Sequence, residues 1–219
     1  MKHFQAMSAL LQYPEAELIE HLGEVEQVLA SQPGALAALR PLLDELKSKP
    51  LIDLQLNYVT TFDRNPSHSL HLFEHIHGES RDRGQAMVDL MEQYKKHGLE
   101  MTGNDLPDYV PLFLEFLGQQ EDVDVANGLL GDAIHVLAYI GRKLTANASP
   151  YACLFDLLVA LSPVEPEELQ EPPIRDMDEA LETFGPGVDG VEPLLKHAVP
   201  GTHPVNFYPK ARSAERSPA

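Results

Sequence analysis

Four histidines, His68, His71, His75 and His77, crowd into a short stretch that also carries Glu74. His71-Leu72-Phe73-Glu74-His75 matches the H-x-x-E-H pattern of inverted zincins, in which two histidines one helical turn apart bind zinc and the glutamate activates a water molecule. That chemistry needs a third ligand and an open cleft, and the sequence places neither. The pattern fixes only three positions in a chain with ten histidines. A metal-dependent hydrolase using His71, Glu74 and His75 therefore stands as one alternative reading and a stable structural subunit of an oligomeric complex as another, and solvent-facing histidines are the default.

Two neighbouring signals are polar in a different way. Gly78-Glu79-Ser80-Arg81-Asp82-Arg83-Gly84 alternates charge at the start of a helix. Such a run is either a solvated, self-paired face or a pair of guanidiniums lining a polar site. The second signal is the turn Leu106-Pro107-Asp108-Tyr109, followed by a stretch from Val110 to Leu117 that is apolar except for Glu115. A carboxylate on such a helix reads as a buried charge, which is costly without a partner, so Arg81 or Arg83 is the expected one. The chain has no phosphate-cradling glycine loop, nucleophile elbow, Cys–His pair or dinucleotide fingerprint.

The elements that must hold these residues read as helices. Apolar residues recur at helical spacing almost throughout, and period-2 alternation is weak and confined to 70–76 and 203–208. Phe4, Met7, Leu10 and Leu11 stripe a first helix, ended at Tyr13-Pro14 because the residue before proline avoids the α conformation. Leu18 to Leu29 stripe a second, stopped by Gln32-Pro33-Gly34. Leu36 to Leu46 stripe a third, with Pro41 either in its first turn or at a kink. Leu51, Leu54, Tyr58 and Phe62 face inward on a fourth. Met87, Leu90, Met91 and Tyr94 mark the clearest helix, with Ser80 or a neighbour as its cap and Gly98 as its left-handed stop. Asp108 is the expected N-cap of the next, which puts Pro111 in the first turn where no backbone hydrogen bond is lost. A polar link at Asp122 to Asn127 precedes a long helix striped from Leu130 to Leu144. Tyr151 to Val159 form the last. The expected fold is an all-α bundle of seven or eight helices over residues 1–162, with an acidic, partly disordered tail over 163–219.

Composition narrows the class of function. A chain of 219 residues buries roughly 70% of its unfolded surface and needs no staples. Cys153 is the only cysteine, so no internal disulfide forms, which suits a reducing compartment. No continuous apolar run approaches the length of a membrane span, and Met1 is not followed by a signal sequence; a cytoplasmic protein without membrane insertion is expected. With 34 acidic against 16 basic residues and a net charge of −18, nucleic acid is a poor partner and a basic one is favoured. Between Glu165 and Glu192 ten acids face one base, Arg175, a composition that buries little apolar surface. A short helix around Met177 to Phe184 is the one element expected there.

The blocks LFEHIHGESRDRGQAM (72–87) and LPDYVPLFLEFL (106–117), in this order and separation, resemble the delta-subunit assembly chaperones of respiratory nitrate reductase. These belong to a wider family of maturation chaperones for molybdenum enzymes. Leu11-Gln12-Tyr13-Pro14 and Tyr58 to Asp63 fit as well, and the resemblance spans about residues 1–162. It implies an all-helical cytosolic protein without catalysis of its own and with no stably bound cofactor. It also implies that the chain binds the N-terminal segment of the nitrate reductase catalytic subunit and keeps it competent for molybdenum cofactor insertion before membrane docking. Molybdenum cofactor delivery proteins are further partners implied. The residues carried over as peptide-binding or site-organising are Glu79, Arg81, Asp82, Arg83, Leu106, Pro107, Asp108 and Tyr109, with Phe73, Val110 and Phe113 as the floor of a groove. The family pattern has an aliphatic residue at the position of His71, which weakens the zincin match. It often has histidine where Tyr109 stands, so no imidazole chemistry carries over there. A groove of this kind takes the apolar face of a helical peptide while carboxylates meet its basic face.

Overall fold

The computed structural model describes residues 1–77, 81–101, 103 and 105–169. The described residues contain eleven α-helices: α1 (Lys2–Leu10), α2 (Ala16–Glu20), α3 (Leu22–Ala30), α4 (Ala35–Ala38), α5 (Arg40–Ser48), α6 (Leu51–Tyr58), α7 (Glu74–His77), α8 (Arg81–Lys96), α9 (Val110–Gln119), α10 (Val123–Ala146) and α11 (Ala152–Leu161). Their only strand-like pairing is an isolated antiparallel bridge between His71 and Tyr109. The all-α expectation holds. Ser80, the short helix at Met177 to Phe184, and residues 170–219 as a whole lie outside the described residues.

The helix count exceeds eight because two of the apolar stripes are interrupted and the short α7 adds one more. The second breaks at His21, whose carbonyl accepts from Glu24 and Val25 and restarts the helix while its ring Nδ1 sits 2.8 Å from the Glu17 carbonyl. The third breaks at Leu39, because Pro41 lacks an amide hydrogen and its ring would clash with the carbonyl four residues back. Pro41 therefore sits in the first turn of α5. After α6 the chain widens into one π-type turn, Val59–Asp63, closed by Arg64 N to Val59 O at 3.1 Å. The polar stretch from Asp122 is not a link: Asp122 caps α10 by accepting from Asp124 N at 2.9 Å, and the helix begins at once.

The core is assembled from helix pairs, α1 along α9 and α10 along α11. Ser8 Oγ donates to the Pro111 carbonyl at 2.7 Å, tying α1 to the first turn of α9. Glycine lets both pairs approach: a Cβ on Gly118 would lie 2.4 Å from Gln5 Cγ, and one on Gly141 would lie 2.8 Å from Phe155 Cβ. By length and composition α10 is the one helix among the described residues that would span a membrane, although it contains no uninterrupted apolar run. Half of its apolar window is buried inside the fold, against the neighbours it pairs with.

Alanine raises helix propensity by about 1 kcal/mol over glycine, whereas forcing a methyl group into a packed contact costs about 1–3 kcal/mol. The neighbour of Gly141 is a Cβ close to the backbone and yields little, so Gly141→Ala is expected to lower stability by about 1 kcal/mol net. Urea unfolding followed by circular dichroism measures it. An unchanged or raised midpoint would show that α11 moves aside freely.

Candidate functional site

Asp108 is the centre of the conspicuous polar arrangement, and it has no exposed surface. Its Oδ2 accepts from the Phe73 amide at 3.1 Å, and its Oδ1 lies 3.2 Å from His71 Nδ1, which must be the donor because a carboxylate only accepts. On either side of it the backbone continues the tie. Leu72 N donates to Asp108 O at 3.0 Å, and Val110 N donates to Leu70 O at 2.8 Å. The carboxylate thus fastens the turn Leu106 to Tyr109 to the chain before α7. It does not cap α9, as its place in the sequence suggested; Tyr109 stands at the N-cap, and Pro111 keeps its place in the first turn.

A second layer fixes the first. Arg83 on α8 donates to Glu74 Oε1 at 3.0 Å, and the same nitrogen lies 3.9 Å from Asp108 Oδ2. Glu74 also accepts from the Ser69 hydroxyl. Arg83 Nε is buried without a hydrogen-bond partner among the described residues. On the other side of the turn Tyr94 donates from its hydroxyl to the Pro107 carbonyl at 2.7 Å. Tyr58 gives its single hydroxyl proton to Leu11 O at 2.9 Å, so Tyr109 is the donor across the 3.4 Å contact between their hydroxyls. Burial raises Tyr58, Tyr94 and Tyr109 above the usual phenol range, with the charge of Asp108 adding to the effect on Tyr94.

This geometry separates the residues singled out in the sequence. Arg83, Asp108 and Tyr109 come together, and Pro107 is buried beside them, while Leu106 at the tip is 41% exposed. Asp82 is exposed in the first turn of α8, where the positive end of the helix favours a carboxylate. Glu79 and the side chain of Arg81 lie outside the described residues. Phe73 is half-buried, but Val110 and Phe113 are fully inside the core and floor no open groove.

Glu115 requires correction. It is exposed, and its near partner is Gln119, 3.3 Å away, not an arginine. Leu112, Glu115 and Gln119 follow the i, i+3, i+7 spacing of one helical face, and that face of α9 looks outward. A single acidic residue in an apolar run marked a surface stripe, and Arg83 already had Glu74 and Asp108.

The histidines also differ from the default. His68 and His75 are buried. His68 Nδ1 donates to Thr61 O at 2.9 Å, leaving Nε2 to accept from Asn147 at 2.8 Å, and His75 Nε2 donates to Ser69 O at 2.8 Å. The zincin arrangement does not form. His71 precedes α7 instead of sharing a helical face with His75; His71 is held by Asp108, Glu74 by the Ser69 hydroxyl and Arg83, and His75 by the Ser69 carbonyl. Among the described residues no three His, Cys, Asp or Glu side chains converge where a metal would sit.

Sequence reasoning missed a concavity of about 330 Å³ between the end of α8, residues 99–101, 103 and 105, and the outward face of α9. Leu99, Met101 and Leu112 line it together with Glu100, Asp105 and Glu115. The periodicity of Leu112, Glu115 and Gln119 was its visible signal.

Residues 29–156, which include His71, Glu74, Arg83 and Asp108, match the family described as "Nitrate reductase delta subunit". Over 160 residues the chain is 43% identical to the nitrate reductase molybdenum cofactor assembly chaperone NarJ of Escherichia coli K12, covering 71% of this chain and 67% of the relative. A second protein of the same strain, named "Probable nitrate reductase molybdenum cofactor assembly chaperone NarW", is 40% identical over 169 residues, 74% of this chain and 68% of its own length. The nitrate reductase-like protein NarX of Mycobacterium tuberculosis H37Rv is 30% identical over 150 residues, which are 68% of this chain but 22% of that protein.

Removing the carboxylate of Asp108 leaves the Phe73 amide without its acceptor and takes away an opposite charge 3.9 Å from Arg83. Asp108→Ala is expected to cost about 3 kcal/mol, and Asp108→Asn, which keeps an acceptor for the Phe73 amide, less. Denaturant midpoints rank the two, and equal losses would remove the Phe73 hydrogen bond from the account. The raised tyrosines set an alkaline limit. In the unfolded chain they release protons from about pH 10, so above that value the unfolded state binds fewer protons and stability falls as pH rises. Tyrosinate absorbance from these rings and loss of helical circular dichroism should appear together in one transition. Full ionisation of every tyrosine near pH 10 with the helices intact would contradict their burial.

Proposed function

We propose that this chain, which belongs to the nitrate reductase delta subunit family, is an assembly chaperone for a nitrate reductase. In this reading it binds the N-terminal segment of the catalytic subunit in the cytoplasm and holds that subunit competent for molybdenum cofactor insertion before it docks at the membrane. It catalyses no reaction itself and keeps no cofactor. Molybdenum cofactor delivery proteins meet the partner while it is held.

The names of the related proteins support the chaperone role. The observation that carries the reading to this chain is the use made of its charges: a fully buried carboxylate, Asp108, organises a turn whose tip, Leu106, is presented outward. Charges spent on shaping a loop suit recognition of another protein, for which no nucleophile is needed. The hydrolase alternative has lost its three residues to other partners.

The test is where the chain is found during maturation. With a tagged chain co-expressed with its reductase, it should copurify with catalytic subunit that lacks molybdenum and be absent from the active enzyme. Deleting it should leave the catalytic subunit present but without molybdenum, as read by elemental analysis. A chain retained in stoichiometric amount by the active enzyme would instead be a permanent structural subunit.

A further inference from the structure

The cavity beside α9 has a floor and rim of opposite character. Leu99, Met101 and Leu112 are half-buried, packed against the core yet still open on one side. Glu100, Asp105 and Glu115 are exposed around them, no lysine or arginine lines the cavity, and none of the three carboxylates has an ion-pair partner among the described residues. Three carboxylates around one apolar recess repel each other, and a cation brought among them relieves that repulsion. The volume, about 330 Å³, is at the small end of ligand sites. It admits one or two large side chains, not a whole helix.

The cavity is also joined to the turn. The ring of Tyr94 lines it while the Tyr94 hydroxyl holds the Pro107 carbonyl, and Asp105 on its rim directly precedes the exposed Leu106. We propose that this recess is the anchor site for an amphipathic helix of the catalytic subunit, taking one large apolar side chain on Leu99, Met101 and Leu112 while lysine or arginine one turn away meets Glu100, Asp105 and Glu115. The occupant is argued from charge: an apolar anchor flanked by bases matches this recess, and an acidic or neutral helix does not. The inference rests on the chaperone reading above, and it assigns a docking role to residues outside the turn itself.

Two measurements on the full chain test it. In the first, a synthetic peptide of the N-terminal segment of the catalytic subunit is titrated calorimetrically into wild type, into Glu100→Lys/Glu115→Lys, and into Leu106→Ala. Both reversed side chains are exposed, so the double variant should keep its melting curve yet bind roughly tenfold or more weakly, with a flatter dependence on salt. In the second, a benzophenone amino acid replaces Leu112 and the chain is irradiated while co-expressed with the reductase. A crosslink to a basic helical segment of the catalytic subunit is expected. Peptide binding that the double variant leaves intact and Leu106→Ala weakens would overturn the cavity inference and leave the chaperone reading standing. A crosslink solely to residues 170–219 of this chain would overturn it in favour of intramolecular cover, and no crosslink to the catalytic subunit would overturn it whatever the peptide does. Wild type that ignores the peptide but crosslinks another basic helix of that subunit would support the cavity and remove the N-terminal segment from the reading.

Discussion

The shape of the turn before α9 depends on one carboxylate that no solvent reaches. Burying Asp108 carries a desolvation cost of several kcal/mol, which only charge-assisted hydrogen bonds offset. Phe73 and His71 supply them directly, and Arg83 adds its charge while itself tethered to Glu74. The partners come from two separate parts of the chain, residues 71–73 and α8, so the carboxylate is satisfied only when α8, the turn and the segment before α7 are all in place. A buried ion of this kind adds little net stability. Its contribution is to make one arrangement of three segments much better than any other.

Burial and charge are divided between two neighbouring regions. The Asp108 cluster turns its polar groups inward and shows the outside an apolar tip and the edge of a tyrosine. The recess beside α9 does the reverse, with Glu100, Asp105 and Glu115 outside and Leu99, Met101 and Leu112 inside. Tyr94 stands between the two, its ring in one and its hydroxyl in the other. The net charge of −18 thus has a local counterpart in the carboxylates around this recess.

Periodicity made most of the fold legible, because a helix announces its buried face every three or four residues. Pro41 and Gly98 marked real boundaries for backbone reasons that hold in any sequence. What could not be read was where short polar side chains spend their hydrogen bonds. Asp108 before an apolar run has the look of an N-cap, yet its partners lie at residues 71, 73 and 83, which no local pattern reveals. Glu115 misled for a related reason: the helix around it is so apolar that the narrow outward stripe of Leu112, Glu115 and Gln119 was easy to pass over. His68 and His75 lie in a polar-looking stretch, and only the tertiary fold brings Thr61, Asn147 and Ser69 to their rings.

The bridge between His71 and Tyr109 joins residues far apart in the chain, with α8 looped out between them. Closing that loop carries an entropic penalty that grows with its length and must be met before the pairing repays it. The turn therefore takes its shape only once the segment before α7 and the residues leading into α9 have been brought together across α8. A copy in which that loop is still open has its apolar stripes but not the shaped tip, so the tip is a property of the assembled fold and not of any local stretch of sequence.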